Sequence, residues 1–237
     1  MKNLYKDSAE INQLSFQDVS SPLGEKLIFF HDNIMFIIVI ITVLVGWIMF
    51  SILKNKHYFK FLIHGAVIEV IWTLIPAVIL LFIAFPSLQL LYCLDEIIKP
   101  SLTIKAIGHQ WYWSYEYSDI EEESIDFDSY MIPISELELG DLRLLNVDNK
   151  VNIPINTEVR VVVTGADVIH CFAVPSLGLK IDAIPGKLSQ VNFLSKRPGI
   201  FYGQCSEICG SDHSFMPIVI NILSKEKFIN WINNYES

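Results

Sequence analysis

Two stretches of this 237-residue chain carry no charged side chain, Ile34 to Leu53 and Val70 to Leu94. At about 1.5 Å of rise per helical residue, each is long enough to cross a hydrocarbon core about 30 Å thick. Backbone at that depth finds no water, so the spanning structure has to be helical. A buried helix of a soluble protein is the competing reading, but 20 and 25 uncharged residues exceed what such a helix needs. The first run is longer than the apolar core of a secretory signal, and no A-x-A-like cleavage site follows it, so it is read as retained. Lys54, Lys56 and Lys60 lie between the runs, whereas Asp32 precedes the first and Asp95 and Glu96 follow the second. Cytoplasmic-side loops collect Lys and Arg, which places the linker inside and both termini outside. The expected organisation is an outer N-terminal segment (1–33), a transmembrane hairpin (34–94, with spans about 34–53 and 70–94 and inner linker 54–69) and an outer domain (95–237).

Composition agrees with a membrane part joined to a water-soluble part, being 52% hydrophobic yet 18% charged. The net charge of −9 belongs to the outer domain, since the six acids and six basic residues before Tyr92 cancel. Such a domain repels nucleic acid and suits a basic protein partner. Beyond Pro100 the pattern becomes that of strands. Leu102 to Tyr117 (LTIKAIGHQWYWSYEY) is rich in β-formers, and Arg143 to Val147, Glu158 to Thr164, Gln190 to Leu194, Ile200 to Gly203 and Ile218 to Leu223 are short and apolar or alternating. Turn residues separate them at Asp148-Asn149, Gly165, Pro185-Gly186, Pro198-Gly199 and Gly210. Short strands with frequent turns predict a sandwich or barrel. Lys225 to Tyr235 reads as a closing helix with Phe228, Trp231 and Ile232 on one side.

The chemistry concentrates in YGQCSEICGSDHSFM, Tyr202 to Met216, which holds Cys205, Cys209, His213 and Met216. A Cys205–Cys209 disulfide would suit an oxidising compartment but leaves the histidine and methionine unexplained. Structural zinc wants four ligands, usually all Cys or His, and Met serves it poorly. Copper accepts thiolate, imidazole and thioether together. Two thiolates four residues apart in one loop can also point at a common centre, which allows two metals to share them. His170, in GADVIHCFAVPSLGLK just after the Glu158 to Thr164 strand, can supply a second imidazole from outside the loop.

The chain resembles cytochrome c oxidase subunit II of the mitochondrial type. The likeness is carried by FQDVSSPLGEKLIFFHD, EVIWTLIPAVILLFIAFPSLQLLY, GHQWYWSYEY, DSYMIPISEL, HCFAVPSLGLKIDAIPG and YGQCSEICGSDHSFMPI. It implies an α+β membrane protein, a two-helix hairpin followed by an all-β, cupredoxin-like Greek-key domain with a dinuclear copper centre. Cys205 and Cys209 would bridge the two coppers. One copper would add His170 and Met216, the other His213 and the backbone carbonyl of Glu207. The Glu207 carboxylate would bind magnesium at the boundary with subunit I. Trp111 would take in electrons beneath the docking surface for cytochrome c, and Glu69 would sit near the mouth of a proton channel in subunit I. The implied activity is transfer of single electrons from reduced cytochrome c to haem in subunit I, where oxygen is reduced to water and protons are pumped. The implied location is the mitochondrial inner membrane, within a hetero-oligomeric complex, with both termini and the copper domain in the intermembrane space.

Two positions depart from the family pattern: Cys171, where Ser is usual, and Phe172, where Trp is usual. Strand neighbours point to opposite faces, so Cys171 is expected to be a structural thiol, and Cys93 a packing residue. Glu116, Asp119, Glu121, Glu122, Asp126, Asp128 and Asp167 are the expected docking acids for cytochrome c. A quinol oxidase subunit would lack the ligand set. A membrane-anchored copper-binding or copper-delivery protein is the alternative from another functional class.

Overall fold

The computed structural model describes residues 6–57, 59–61, 63–96, 99–119 and 124–235. They divide into two compact units, one holding the residues up to Glu25 together with those from Leu94 onward, the other Lys26–Cys93. The helical unit is built from α1 (Pro22–Lys54) and α2 (Ala66–Asp95). Helix α1 starts well ahead of the uncharged run because Ser21-Pro22 is a strong initiation signal. Pro22 supplies a preset φ where no N–H is needed, and the Ser21 hydroxyl accepts the Gly24 N–H at 3.0 Å. At the start of α2 the Glu69 carboxylate accepts the Gly65 N–H at 3.2 Å. Pro76 and Pro86 lie inside α2. The most apolar 18-residue window of each helix is 0% buried within the chain. Apolar surface on that scale needs a non-aqueous surround, which lipid and partner helices provide.

The other unit is a β-sandwich. One sheet has the order β1-β10-β11-β5, formed by Lys6–Asp7, Gly199–Gln204, Pro217–Leu223 and Val151–Pro154. The second has the order β4-β3-β2-β6-β9, formed by Ile125–Ser129, Tyr112–Tyr117, Leu102–His109, Glu158–Gly165 and Ser189–Leu194. A separate pair joins β7 (His170–Val174) to β8 (Leu179–Ala183). Alternation drives the layering: in β6 Val159, Val161 and Val163 face the core while Glu158, Arg160 and Val162 do not. The core also holds Trp113, Tyr115, Tyr117, Phe172, Phe201 and Ile220. Helix α3 (Lys225–Tyr235) closes the domain, with Phe228, Trp231 and Ile232 against this core as its spacing predicts.

Arg143 to Val147 is not a strand. Residues 143–145 form a turn in which Leu144 adopts φ 66°, and only Val147 makes an isolated bridge, to Met131. Its apolar residues serve another purpose: Leu142, Leu145 and Val147 cover Ile200, Tyr202 and Val219 on the outer side of the first sheet.

Candidate metal centre

Strand β7 opens with His170, and β10 runs out at Gln204 directly into Cys205, so the sandwich delivers two ligands from separate chain segments. The two segments are tied where they meet: the Ser206 N–H donates to the Cys171 carbonyl at 3.1 Å. His170 Nδ1 lies 3.9 Å from Cys205 Sγ, and Cys205 Sγ lies 4.0 Å from Cys209 Sγ. Among the described residues these three form the one group of His, Cys, Asp or Glu side chains close enough to hold a metal ion, with ligand atoms within 4.8 Å of one another and all three residues buried. The remaining sequence candidates converge on the same point. Cys209 Sγ is 3.4 Å from His213 Nδ1 and 3.5 Å from Met216 Sδ. The Glu207 carbonyl oxygen is 3.3 Å from Cys205 Sγ. Met216, 1% exposed, is sealed from water.

The two thiols sit in different electrostatic surroundings. Burial raises the Cys205 thiol, but hydrogen bonds from His170 and from backbone outweigh it and hold Cys205 down to about 6. Burial, then the charge on Cys205, push Cys209 up to about 12. One thiolate forms readily and resists a second beside it, so a bound cation is what lets both ionise. Soft sulfur donors with two imidazoles suit copper.

Contacts behind the ligands fix their orientation. Asp167 Oδ1 lies 2.8 Å from His170 Nε2 and accepts the Val168 N–H, while Oδ2 accepts the Gln110 N–H at 2.7 Å. Burial would raise Asp167, but the His170 bond and the two backbone N–H groups hold it below its ordinary value. For His170, burial disfavours the charged ring, yet Cys205 and Asp167 raise it above the ordinary value. Asp167, expected on sequence as a docking acid, is thus also the carboxylate that orients a ligand histidine. Gly108 makes room for the imidazole: a Cβ there would sit 2.8 Å from His170 Cδ2. Neither Gln110 nor Gly108 was singled out from the sequence, because each reaches the centre only through strand pairing.

Trp111 packs against the core and its indole N–H donates to the Cys209 carbonyl at 3.3 Å, beside the Gln110 amide, which donates to the same oxygen at 2.8 Å. Trp113 is 0% exposed and donates to the Met216 carbonyl at 3.3 Å. Cys171 is buried outside the ligand group. Burial, then the Asp182 carboxylate, push its thiol up to about 12. In the helical unit Cys93 Sγ accepts the Lys26 ammonium at 3.2 Å. The acids on β3 and β4 share one exposed face, with Glu116 opposite Asp126 and Ser114 opposite Asp128 in register. Glu116 pairs with Lys105 at 2.8 Å, and Asp119 accepts the Thr103 N–H. Glu121 and Glu122 lie outside the described residues.

Residues 102–223 match the family model for "Cytochrome C oxidase subunit II, periplasmic domain", and residues 9–90 match that for "Cytochrome C oxidase subunit II, transmembrane domain". The chain belongs to the cytochrome c oxidase subunit II family. It is 61% identical to cytochrome c oxidase subunit 2 of Metridium senile over 95% of this chain and 91% of the relative. With the Drosophila yakuba protein it shares 59% identity over 94% of this chain and 97% of the relative. The crystal structure of the periplasmic domain of subunit II of cytochrome oxidase (CoxB) of Bradyrhizobium japonicum covers 60% of this chain and 97% of that one, at 49% identity and a TM-score of 0.55. The fold is therefore a membrane hairpin carrying a cupredoxin-like domain. The chain is the subunit through which a cytochrome c oxidase takes in electrons, part of an oxidoreductase rather than a free-standing copper carrier.

Proposed function

We propose that this subunit holds a dinuclear copper centre through which electrons from cytochrome c pass to haem in subunit I. The observation that carries the reading is the convergence of four further donors on two buried sulfurs 4.0 Å apart. His170 and the Glu207 carbonyl stand beside Cys205, and His213 and Met216 stand beside Cys209. Cys205, Cys209, His170, His213, Met216 and the Glu207 carbonyl would hold the copper, which would supply reversible one-electron storage. The chain's own residues supply the rest. Asp167 fixes the His170 ring, Gln110 and Trp111 hold the Cys209 carbonyl, and burial of Met216 keeps water out.

Trp111 is the residue we assign to electron input, because it is half-buried and hydrogen-bonded to the ligand loop. Glu116, Asp119, Asp126, Asp128 and Asp167 are assigned to docking of basic cytochrome c, and Glu121 and Glu122 are assigned to it on sequence alone. The Glu207 carboxylate is assigned to magnesium shared with subunit I, and Glu69 to the start of a proton path. An ionisable group at the end of a membrane helix supports that last role. The membrane is assigned as the mitochondrial inner membrane, with the copper domain in the intermembrane space, as the lysine-rich linker and the mitochondrial type of the relatives support.

Metal analysis and electron paramagnetic resonance test the centre. The expected content is two coppers per chain with a mixed-valence signal that Cys205→Ser and Cys209→Ser each abolish. One zinc and no copper in the purified complex would overturn the reading.

A further inference from the structure

We propose that Lys105 is an internal stand-in for the basic partner. Its ammonium occupies the Glu116 carboxylate, is displaced when cytochrome c docks, and returns to Glu116 when the complex parts. This role rests on the docking face assigned above and adds the residue that sets how basic a partner must be and how long it stays.

Strand alternation turns one face of β2, β3 and β4 outward. From the turn that carries Trp111, the outward residues follow in register. His109 stands beside Tyr112, then come Ile107, Ser114 and Asp128, then Lys105, Glu116 and Asp126. Lys105 is the one Lys or Arg on these three strands. Four residues of strand, about 13 Å, separate its row from that of His109. A standard protein footprint of about 800 Å² per partner has a radius of about 16 Å, so a cytochrome seated over Trp111 covers the Lys105 row.

Glu116 has two neighbours of opposite effect. Lys105 Nζ lies 2.8 Å from Glu116 Oε2 on one side. Asp126 stands opposite on the other side and is exposed. Like charges in that position destabilise a sheet, so the free protein gains from keeping a cation in the row. The same ammonium fills the seat that a partner's lysine would take. The side chains of Lys105 and Glu116 are 36% and 39% exposed. An ion pair that wet is weak and exchanges one cation for another at small cost. A basic partner brings the replacement with it. A neutral protein has nothing to displace Lys105 and meets a row already half neutralised. Complexes that pass electrons are weak and brief, and release often limits turnover. With Lys105 ready to take Glu116 back, the partner leaves sooner.

The test uses the intact oxidase in detergent at 0.15 M ionic strength. Lys105→Met, Glu116→Gln and the double variant are compared with the parent, with an unchanged copper spectrum as the check on folding. Lys105→Met should lower KM for cytochrome c about three- to fivefold, the range of an exposed ion pair, chiefly through slower release in stopped flow. In the Glu116→Gln background the same substitution should gain less than about twofold, because it frees no seat. Lys105→Arg keeps a cation and should stay near the parent. If Lys105→Met does not accumulate, Lys105→Gln carries the same comparison. An unchanged KM in Lys105→Met would overturn the proposal. Equal gains in the two backgrounds, or a gain in association rate alone, would also overturn it, since Lys105 would then be one charge in the general field. If Glu116→Gln leaves KM unmoved while Asp126→Asn raises it, the seat is not at Glu116 and the proposal falls while the docking face stands. If neither acid nor salt moves KM, the docking reading falls with it, a separately visible result.

Discussion

Trp111 and Trp113 stand two residues apart, both on hydrogen bonds to the metal loop, yet exposure separates their roles. Trp113 is 0% exposed and cannot meet a docked protein, whereas Trp111 is partly exposed and also touches the Cys209 carbonyl. Trp111→Phe is expected to leave cytochrome c affinity and the copper spectrum intact while copper reduction, followed by stopped flow, slows by orders of magnitude. Trp113→Phe takes a donor from the Met216 carbonyl and is expected to perturb the copper spectrum, so Trp231, which packs at α3, makes the cleaner control. If Trp111→Phe acts only by losing copper, Trp111 is structural. A second residue-scale expectation concerns protons. Hydrogen bonds from His170 and from backbone hold Cys205 down to about 6, so the thiolate is favoured as pH rises above that value. Copper uptake by metal-free protein should weaken as pH falls through about 6, measured by competition with a chelator whose own protonation is corrected for. A pH-independent uptake would contradict it. The candidate ligands could be read from sequence because four of the five side-chain donors fall within twelve residues, Cys205 to Met216. The contact of Asp167 with His170 was hidden, because an aspartate in a surface loop looks the same whether it faces a partner or a ring nitrogen.

At the scale of elements, what the sequence revealed depended on how each strand meets water. β6 alternates and its reading as a strand holds, whereas Leu102 to Tyr117, read as one β-forming run, is two antiparallel strands, β2 and β3. β7 is buried at every position (HCFAV), so it has no alternation to detect, and β5 (VNIP) hides behind an asparagine and a proline. β4 (IDFDS) does alternate, but its exposed positions are aspartates, which read as a loop. Arg143 to Val147 misled in the opposite sense, since residues that cover a sheet show the same apolar spacing as residues within one. Pairing also explains Gly108, which lies on β2 opposite Trp113 on one side and Gly165 on the other. Overpacking a dense core costs about 1–3 kcal/mol and displaces side chains. Gly108→Ala is therefore expected to push the His170 ring off its position and cut copper content while the domain still folds, checked by metal analysis beside circular dichroism. Full copper retention would show that the strand yields instead of the imidazole.

The whole molecule separates its two tasks by charge. The helical hairpin and N-terminal segment are balanced, and the net −9 lies entirely in the part that carries the metal site. Within that part the acids are not spread evenly. Glu116 and Asp126 oppose each other across β3 and β4, with Asp128 one pair further along. Like charges directly opposite destabilise a sheet, and only Glu116 of the three is paired with a lysine, Lys105, at 2.8 Å among the described contacts. A basic partner would relieve the repulsion that the fold tolerates. Such a partner is steered over a Debye length of about 8–10 Å at 0.1–0.15 M ionic strength. The oxidase is therefore expected to lose apparent affinity for cytochrome c steeply as salt rises. Reversing Asp126 and Asp128 together should raise KM several-fold and flatten that salt dependence. The copper spectrum should not change, because the hydrogen bonds of Asp126 and Asp128 run to Ser114, Tyr130 and Tyr235 and not to the ligand loop. Asp167→Asn is expected to behave differently, since it loses charge at the surface and also weakens the orientation of His170. It should raise KM and shift the spectrum together. A KM that ignores salt would remove the acidic face from the docking account, and a spectrum unmoved by Asp167→Asn would return Asp167 to the surface role alone.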